Sequence, residues 1–90
     1  MKKEPKLTAL YETILKLETI EEAYDFFEDL CTINEIQDMA DRLNVAKLLM
    51  AGETYEQIET KTKMSSATIS RVNRCLQHGS GGYRKLLTKK

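Results

Sequence analysis

The residues whose types and spacing could do chemistry stand in the last third of the chain, in residues 54–71, TYEQIETKTKMSSATISR, and in the helix-forming stretch that continues to His78. Projected at about 100° per residue, residues 65–78 place Ile69, Val72 and Leu76 on one side and Ala67, Ser70, Arg71, Arg74 and His78 on the other. The outer side is small near its start and cationic further on. Small polar side chains let a helix approach base edges closely, and arginine pairs with guanine or with a phosphate. The N-terminus of such a helix can itself donate hydrogen bonds to a phosphate. The chemistry available is therefore non-covalent recognition of a polyanion. The candidate DNA-binding residues are Lys61, Lys63, Ser65, Ser66, Ala67, Thr68, Ser70, Arg71 and Arg74.

These residues need two helices to position them. In a helix-turn-helix the first helix braces the second, and the second enters the major groove of double-stranded DNA. The brace requires apolar residues in the first helix, in the turn and on the inner face of the second helix, here Ile58, Met64 and Ile69. Three positions depart from the common pattern: Lys63 stands where the turn usually has glycine, Glu59 where the first helix usually has alanine, and Thr62 where leucine is frequent. The plain alternative is a helical hairpin with a solvated basic face. Charge favours the DNA reader. The chain has 14 basic and 14 acidic residues, but residues 1–53 hold 6 basic and 12 acidic side chains, a net of −6, and residues 54–90 hold 8 and 2, a net of +6. A basic end built on a helix-turn-helix pattern is the electrostatic footprint of nucleic-acid binding.

Upstream, the apolar pattern reads as three helices. Leu7, Leu10, Tyr11, Ile14 and Leu15 share one face, and the pattern ends at Glu18. Thr19 with Glu22 makes a capping box for a second helix, with Ile20, Ala23, Tyr24, Phe27 and Cys31 on one face and Glu21, Glu22, Asp25, Glu28 and Asp29 elsewhere. Thr32 with Glu35 opens a third helix running to about Ala51. Its two apolar stripes, Ile36, Met39, Ala40, Leu43 and Met50 and then Val45, Leu48 and Leu49, predict burial on both flanks. Gly52 stops it. Thr54 with Gln57 caps a fourth helix to about Thr62, Lys63 and Met64 form the turn, and Ser65 or Ser66 caps a fifth helix to about Gln77. Gly79 to Gly82 is a loop, and Tyr83–Leu87 a last short helix.

Ninety residues with one proline, four glycines and no strand alternation predict one all-α domain of about six helices: core and dimerisation helices in 1–53, the helix-turn-helix in 54–78, a loop and short helix in 79–90. So short a chain buries a modest core alone, and its aromatic stripes (Tyr11, Tyr24, Phe26, Phe27) point to core or dimer interface, so a homodimer is expected. Cys31 and Cys75 lie far apart and His78 is the lone histidine, so reduced thiols and no metal site are expected. The Met1-Lys2-Lys3 start is not followed by an apolar run, so neither secretion nor a membrane span is expected, and the chain belongs in the cytoplasm, on the nucleoid. No nucleophile–base pair, paired acid or phosphate loop supports an enzyme.

The order of parts, a long doubly apolar helix, then Gly52-Glu53, then a helix-turn-helix ending Ala67-Thr68-Ile69-Ser70-Arg71, resembles the Trp repressor family over about Leu30 to Leu87, and the whole chain is similar to its YerC/YecD group, known mainly from Gram-positive bacteria. The resemblance implies an interlocked homodimer and a bacterial transcriptional regulator, a repressor, that reads DNA through Ser66, Ala67, Thr68 and Ser70. It also implies an effector pocket at Thr32, Arg42, Arg71, Val72 and Cys75. The family clamps tryptophan between two arginines, matched by Arg42 and Arg71. Val72 replaces a glycine that leaves room for the ligand, and Cys75 replaces a serine that holds its amino group. Both work against tryptophan, so no cofactor is expected, and any effector would be smaller than an indole. Arg42 has a plainer alternative, an ion pair with Asp38 or Asp41, and Arg71 a phosphate contact. The competing function is a protein-interaction module whose basic hairpin docks on another protein.

Overall fold

The computed structural model describes residues 3–88, all of whose regular structure is helical: α1 (Pro5–Ile14), α2 (Ile20–Leu30), α3 (Ile33–Met50), α4 (Tyr55–Thr62), α5 (Ser66–His78) and α6 (Gly82–Leu87). Met1 and Lys2, part of the charged N-terminal start, and Lys89 and Lys90, counted in the basic segment, lie outside the described residues. Contacts divide the chain into two compact units, 1–33 and 34–90.

In the first unit, Pro5 opens α1, where its missing N–H costs nothing. The helix stops at Ile14, short of the expected Glu18, because the N–H groups of Lys16 and Leu17 tighten onto the carbonyls of Thr13 and Ile14. Thr19 caps α2 by accepting from the Glu22 N–H (3.1 Å). The reciprocal half of the expected capping box lands one residue earlier, the Glu18 N–H donating to the Glu22 carboxylate (2.8 Å). Neither α1 nor α2 contains a buried residue: Leu15 is 82% exposed and Ile20 70%.

In the second unit, the core is Val45 and Ala46 of α3, Ile58 of α4, and Ile69, Val72 and Leu76 of α5. Leu48, Leu49, Met50, Met64, Tyr83 and Leu87 pack against it. The expectation that α3 is buried on both flanks holds only near Val45 and Ala46. Met39 and Leu43 of the first stripe stay 40% exposed, because α4 and α5 supply apolar partners only to the C-terminal part of α3. Gly52 ends α3 with φ 88°: its N–H donates to the Leu49 carbonyl (3.0 Å) and that of Glu53 to the Leu48 carbonyl (3.1 Å), a Schellman motif that needs a residue without Cβ at the left-handed position. Among the described residues no helix is long and apolar enough to cross a membrane.

Candidate nucleic-acid interface

Each end of the hairpin is built by a local cap. Thr54 and Gln57 form a complete capping box: the Gln57 N–H donates to Thr54 Oγ1 (3.1 Å) and the Thr54 N–H to Gln57 Oε1 (2.8 Å). α4 ends at Lys63, which takes the left-handed conformation itself (φ 60°, ψ 17°) in the place where glycine is usual. Thr62 holds that turn from the inside. Its hydroxyl donates to the Ile58 carbonyl (2.7 Å) and accepts from the Met64 N–H (3.1 Å), which gives this threonine a role that leucine could not fill. Ser65 then caps α5, its Oγ accepting from the Thr68 N–H (3.2 Å) and lying 3.1 Å from Thr68 Oγ1.

The two helices pack on one another through Ile58 and Ile69, both fully buried, and Met64 in the turn is half-buried, as the brace requires. With Ile69, Val72 and Leu76 turned into the core, Ser66, Ala67, Arg71, Arg74 and His78 are exposed, and Ser70 is half-buried beside them. Lys61, Lys63 and Ser65 are exposed on the last turn of α4 and the connection. Thr68 is half-buried and bound to Ser65, so it shapes the helix start as well as facing outward there. Lys63, Arg71 and Arg74 have no carboxylate partner among the described residues, whereas Lys61 is paired with Glu53.

A lysine held at positive φ lets stability and binding be separated. A side chain in the left-handed region costs about 1–2 kcal/mol, partly offset by the greater unfolded-state freedom of glycine. Lys63→Gly should therefore raise stability by about 0.5–1 kcal/mol, seen as a melting temperature higher by several degrees. The same change removes a cation beside the reading helix and should weaken DNA binding. A variant that melts higher and binds DNA as before would remove Lys63 from the interface.

The residues of the expected effector pocket have different surroundings. Val72 is 2% exposed and belongs to the core, Cys75 is exposed, Arg42 is half-buried on α3 and Arg71 exposed on α5, and Thr32 precedes α3. The alternative ion pair of Arg42 with Asp38 or Asp41 is not formed among the described residues. Asp38, four residues before Arg42, could add only about 0.2–0.5 kcal/mol by pairing, and the adjacent Asp41 does not face Arg42 on the helix. Both cysteines are free thiols.

Two contacts were invisible to pattern reading. Arg84 Nε donates to the Leu76 carbonyl (3.0 Å), tying α6 to the last turn of α5, and Glu53 pairs with Lys61. Each joins residues eight positions apart across a break between helices, where no periodicity applies.

A capped brace helix, a turn of three residues and a second helix with a cationic outer face define a helix-turn-helix protein of the all-helical class. The Trp repressor protein family matches residues 5–90, and the chain belongs to that family. It is 54% identical over 84 residues to the uncharacterized protein YerC of Bacillus subtilis strain 168, covering 93% of this chain and 81% of that protein. Among solved structures, a TrpR-like protein from Eubacterium eligens ATCC 27750 superposes with a TM-score of 0.91 at 49% identity, covering 94% of this chain and 88% of that one. A candidate Trp repressor from Staphylococcus aureus superposes with a TM-score of 0.90, also at 49% identity, over 94% of this chain and 85% of that one.

Proposed function

We propose that this protein is a sequence-specific DNA-binding transcriptional regulator, a repressor, that acts as a homodimer without tryptophan. The observation that carries the reading is the outer face of α5. Ser66 and Ala67 are small and exposed at its start, and Arg71 and Arg74 are exposed and free of carboxylate partners among the described residues. In this reading Ser66, Ala67, Thr68 and Ser70 meet base edges, while Lys63, Arg71, Arg74 and the free N–H groups of the first turn of α5 meet phosphates. Membership of the Trp repressor family supports it.

Dimerisation is supported by the distribution of exposed apolar side chains. Of the ten large hydrophobics exposed among the described residues, eight lie between Tyr11 and Leu43 and only Tyr55 and Leu86 lie beyond. Exposed apolar side chains concentrated in one stretch of the chain fit burial against a second copy. Two readers related by a two-fold axis would meet half-sites about 34 Å apart. Independence from tryptophan is supported by Val72, whose side chain is committed to the core where the family has glycine.

Selection of genomic fragments by the purified protein, at near-physiological salt with no added ligand, tests the reading. Enrichment of a motif with two-fold symmetry is expected, with sedimentation at low micromolar concentration giving a dimer. Failure to enrich any sequence, together with capture of a protein partner that survives charge reversal at Arg71 and Arg74, would make the chain an interaction module instead.

A further inference from the structure

The helix-turn-helix has one cation that is already neutralised. Glu53 and Lys61 form an ion pair, while Lys63, Arg71 and Arg74 have no carboxylate partner among the described residues. The two partners are unequally exposed: the Glu53 side chain is 18% exposed and that of Lys61 is 58% exposed. Glu53 is also the more firmly held. Its N–H closes the Schellman motif at the end of α3 by donating to the Leu48 carbonyl (3.1 Å), and the next residue, Thr54, is locked in the capping box of α4. Two caps therefore hold the backbone on either side of the Glu53 carboxylate, and the lysine from the last turn of α4 reaches it.

We propose that Glu53 is a negative determinant of DNA affinity: it holds the Lys61 ammonium inside the protein's own charge network and keeps it from neutralising a phosphate. The proposal rests on the reading of α4 and α5 as a DNA reader. Phosphate contacts strengthen binding to every sequence alike and release counterions, whereas base contacts discriminate. Withholding one phosphate contact lowers binding to selected and non-specific duplexes alike and leaves the base-reading face of α5 untouched. Glu53 thus sets overall affinity and its salt dependence, not the discrimination between bases.

The experiment is a double-mutant cycle on binding to non-specific and selected duplexes across a salt series, using the full chain. Glu53→Gln should free Lys61 in each protomer and steepen the slope of log affinity against log salt by about 0.9 per protomer, about 1.8 for a dimer, which is roughly sixtyfold tighter binding at 0.1 M salt. That gain should vanish in Glu53→Gln with Lys61→Gln. Lys61→Gln alone, which does not depend on how the Glu53 variant folds, should leave the salt slope unchanged, while Lys63→Gln should flatten it by about 0.9 per protomer, about 1.8 for a dimer. Weaker or unchanged binding by a folded Glu53→Gln protein would overturn the proposal, as would an equal gain with and without Lys61, or a flattened slope for Lys61→Gln. A parent protein that binds no duplex would overturn the DNA-reader reading and this inference with it, so the two failures are distinct.

Discussion

Replacing Arg71 and Arg74 together by glutamate should weaken DNA binding by more than about 100-fold while leaving the protein folded. Each arginine that loses a guanine or phosphate contact costs about 1–3 kcal/mol, and each lost phosphate contact flattens the salt dependence by about 0.9. Reversal adds repulsion of the phosphates by the new carboxylates. The fold should tolerate the change because both side chains are exposed and neither is tied to a carboxylate among the described residues, and surface substitutions of that kind fall within about 0.5 kcal/mol. Placing glutamate at position 74, towards the C-terminal end of α5, opposes the helix dipole by a few tenths of a kcal/mol at most. Anisotropy titrations over a series of salt concentrations, with a thermal melt as the folding control, check it. Binding of parental strength by a folded double variant would move recognition off α5.

The largest effect on stability is expected at the contact on which the reader is built. Ile58 and Ile69 are fully buried, and between them they join α4 to α5. Ile69→Ala should cost about 2–5 kcal/mol, the transfer term of three lost carbons plus the cavity they leave. A domain of this size has a total stability of about 5–13 kcal/mol, so the variant should lose a large share of it. Truncating Ile58 as well should cost less than the sum of the two single changes, because both side chains border the same space. Chemical denaturation at fixed protein concentration measures this, and the concentration must be fixed because association contributes to apparent stability. A loss below about 1 kcal/mol for Ile69→Ala would mean that the hairpin does not depend on this core.

Much of the helix-turn-helix was legible because it is written in short-range chemistry. Thr54 and Gln57 stand three apart and close a ring of hydrogen bonds with no help from elsewhere. Ser65 and Thr68 do the same at the start of α5, and Gly52 marks the end of α3 by the conformation that only its missing side chain makes easy. The periodicity of α5 separated Ile69, Val72 and Leu76 from Arg71 and Arg74 because a helix turns by a constant angle. The same periodicity misled at α3. Two apolar stripes say that both faces avoid water, but not what covers them, and the exposure of Met39 and Leu43 shows that α4 and α5 leave part of the first stripe open.

Charge followed the same division. The segregation of acidic residues to 1–53 and basic residues to 54–90, the helical class, the caps and the inner and outer faces of α5 were determined by the sequence itself, through backbone geometry and hydrogen bonds between residues within four of each other. The pairing of Lys61 with Glu53, the tie from Arg84 to the end of α5, the freedom of Arg42 from Asp38 and Asp41, and the commitment of Val72 to the core were decided only in the tertiary structure. Those outcomes depend on distances between helices and on which groups compete for the same neighbour. Such distances are set when the helices pack, and no local spacing carries them.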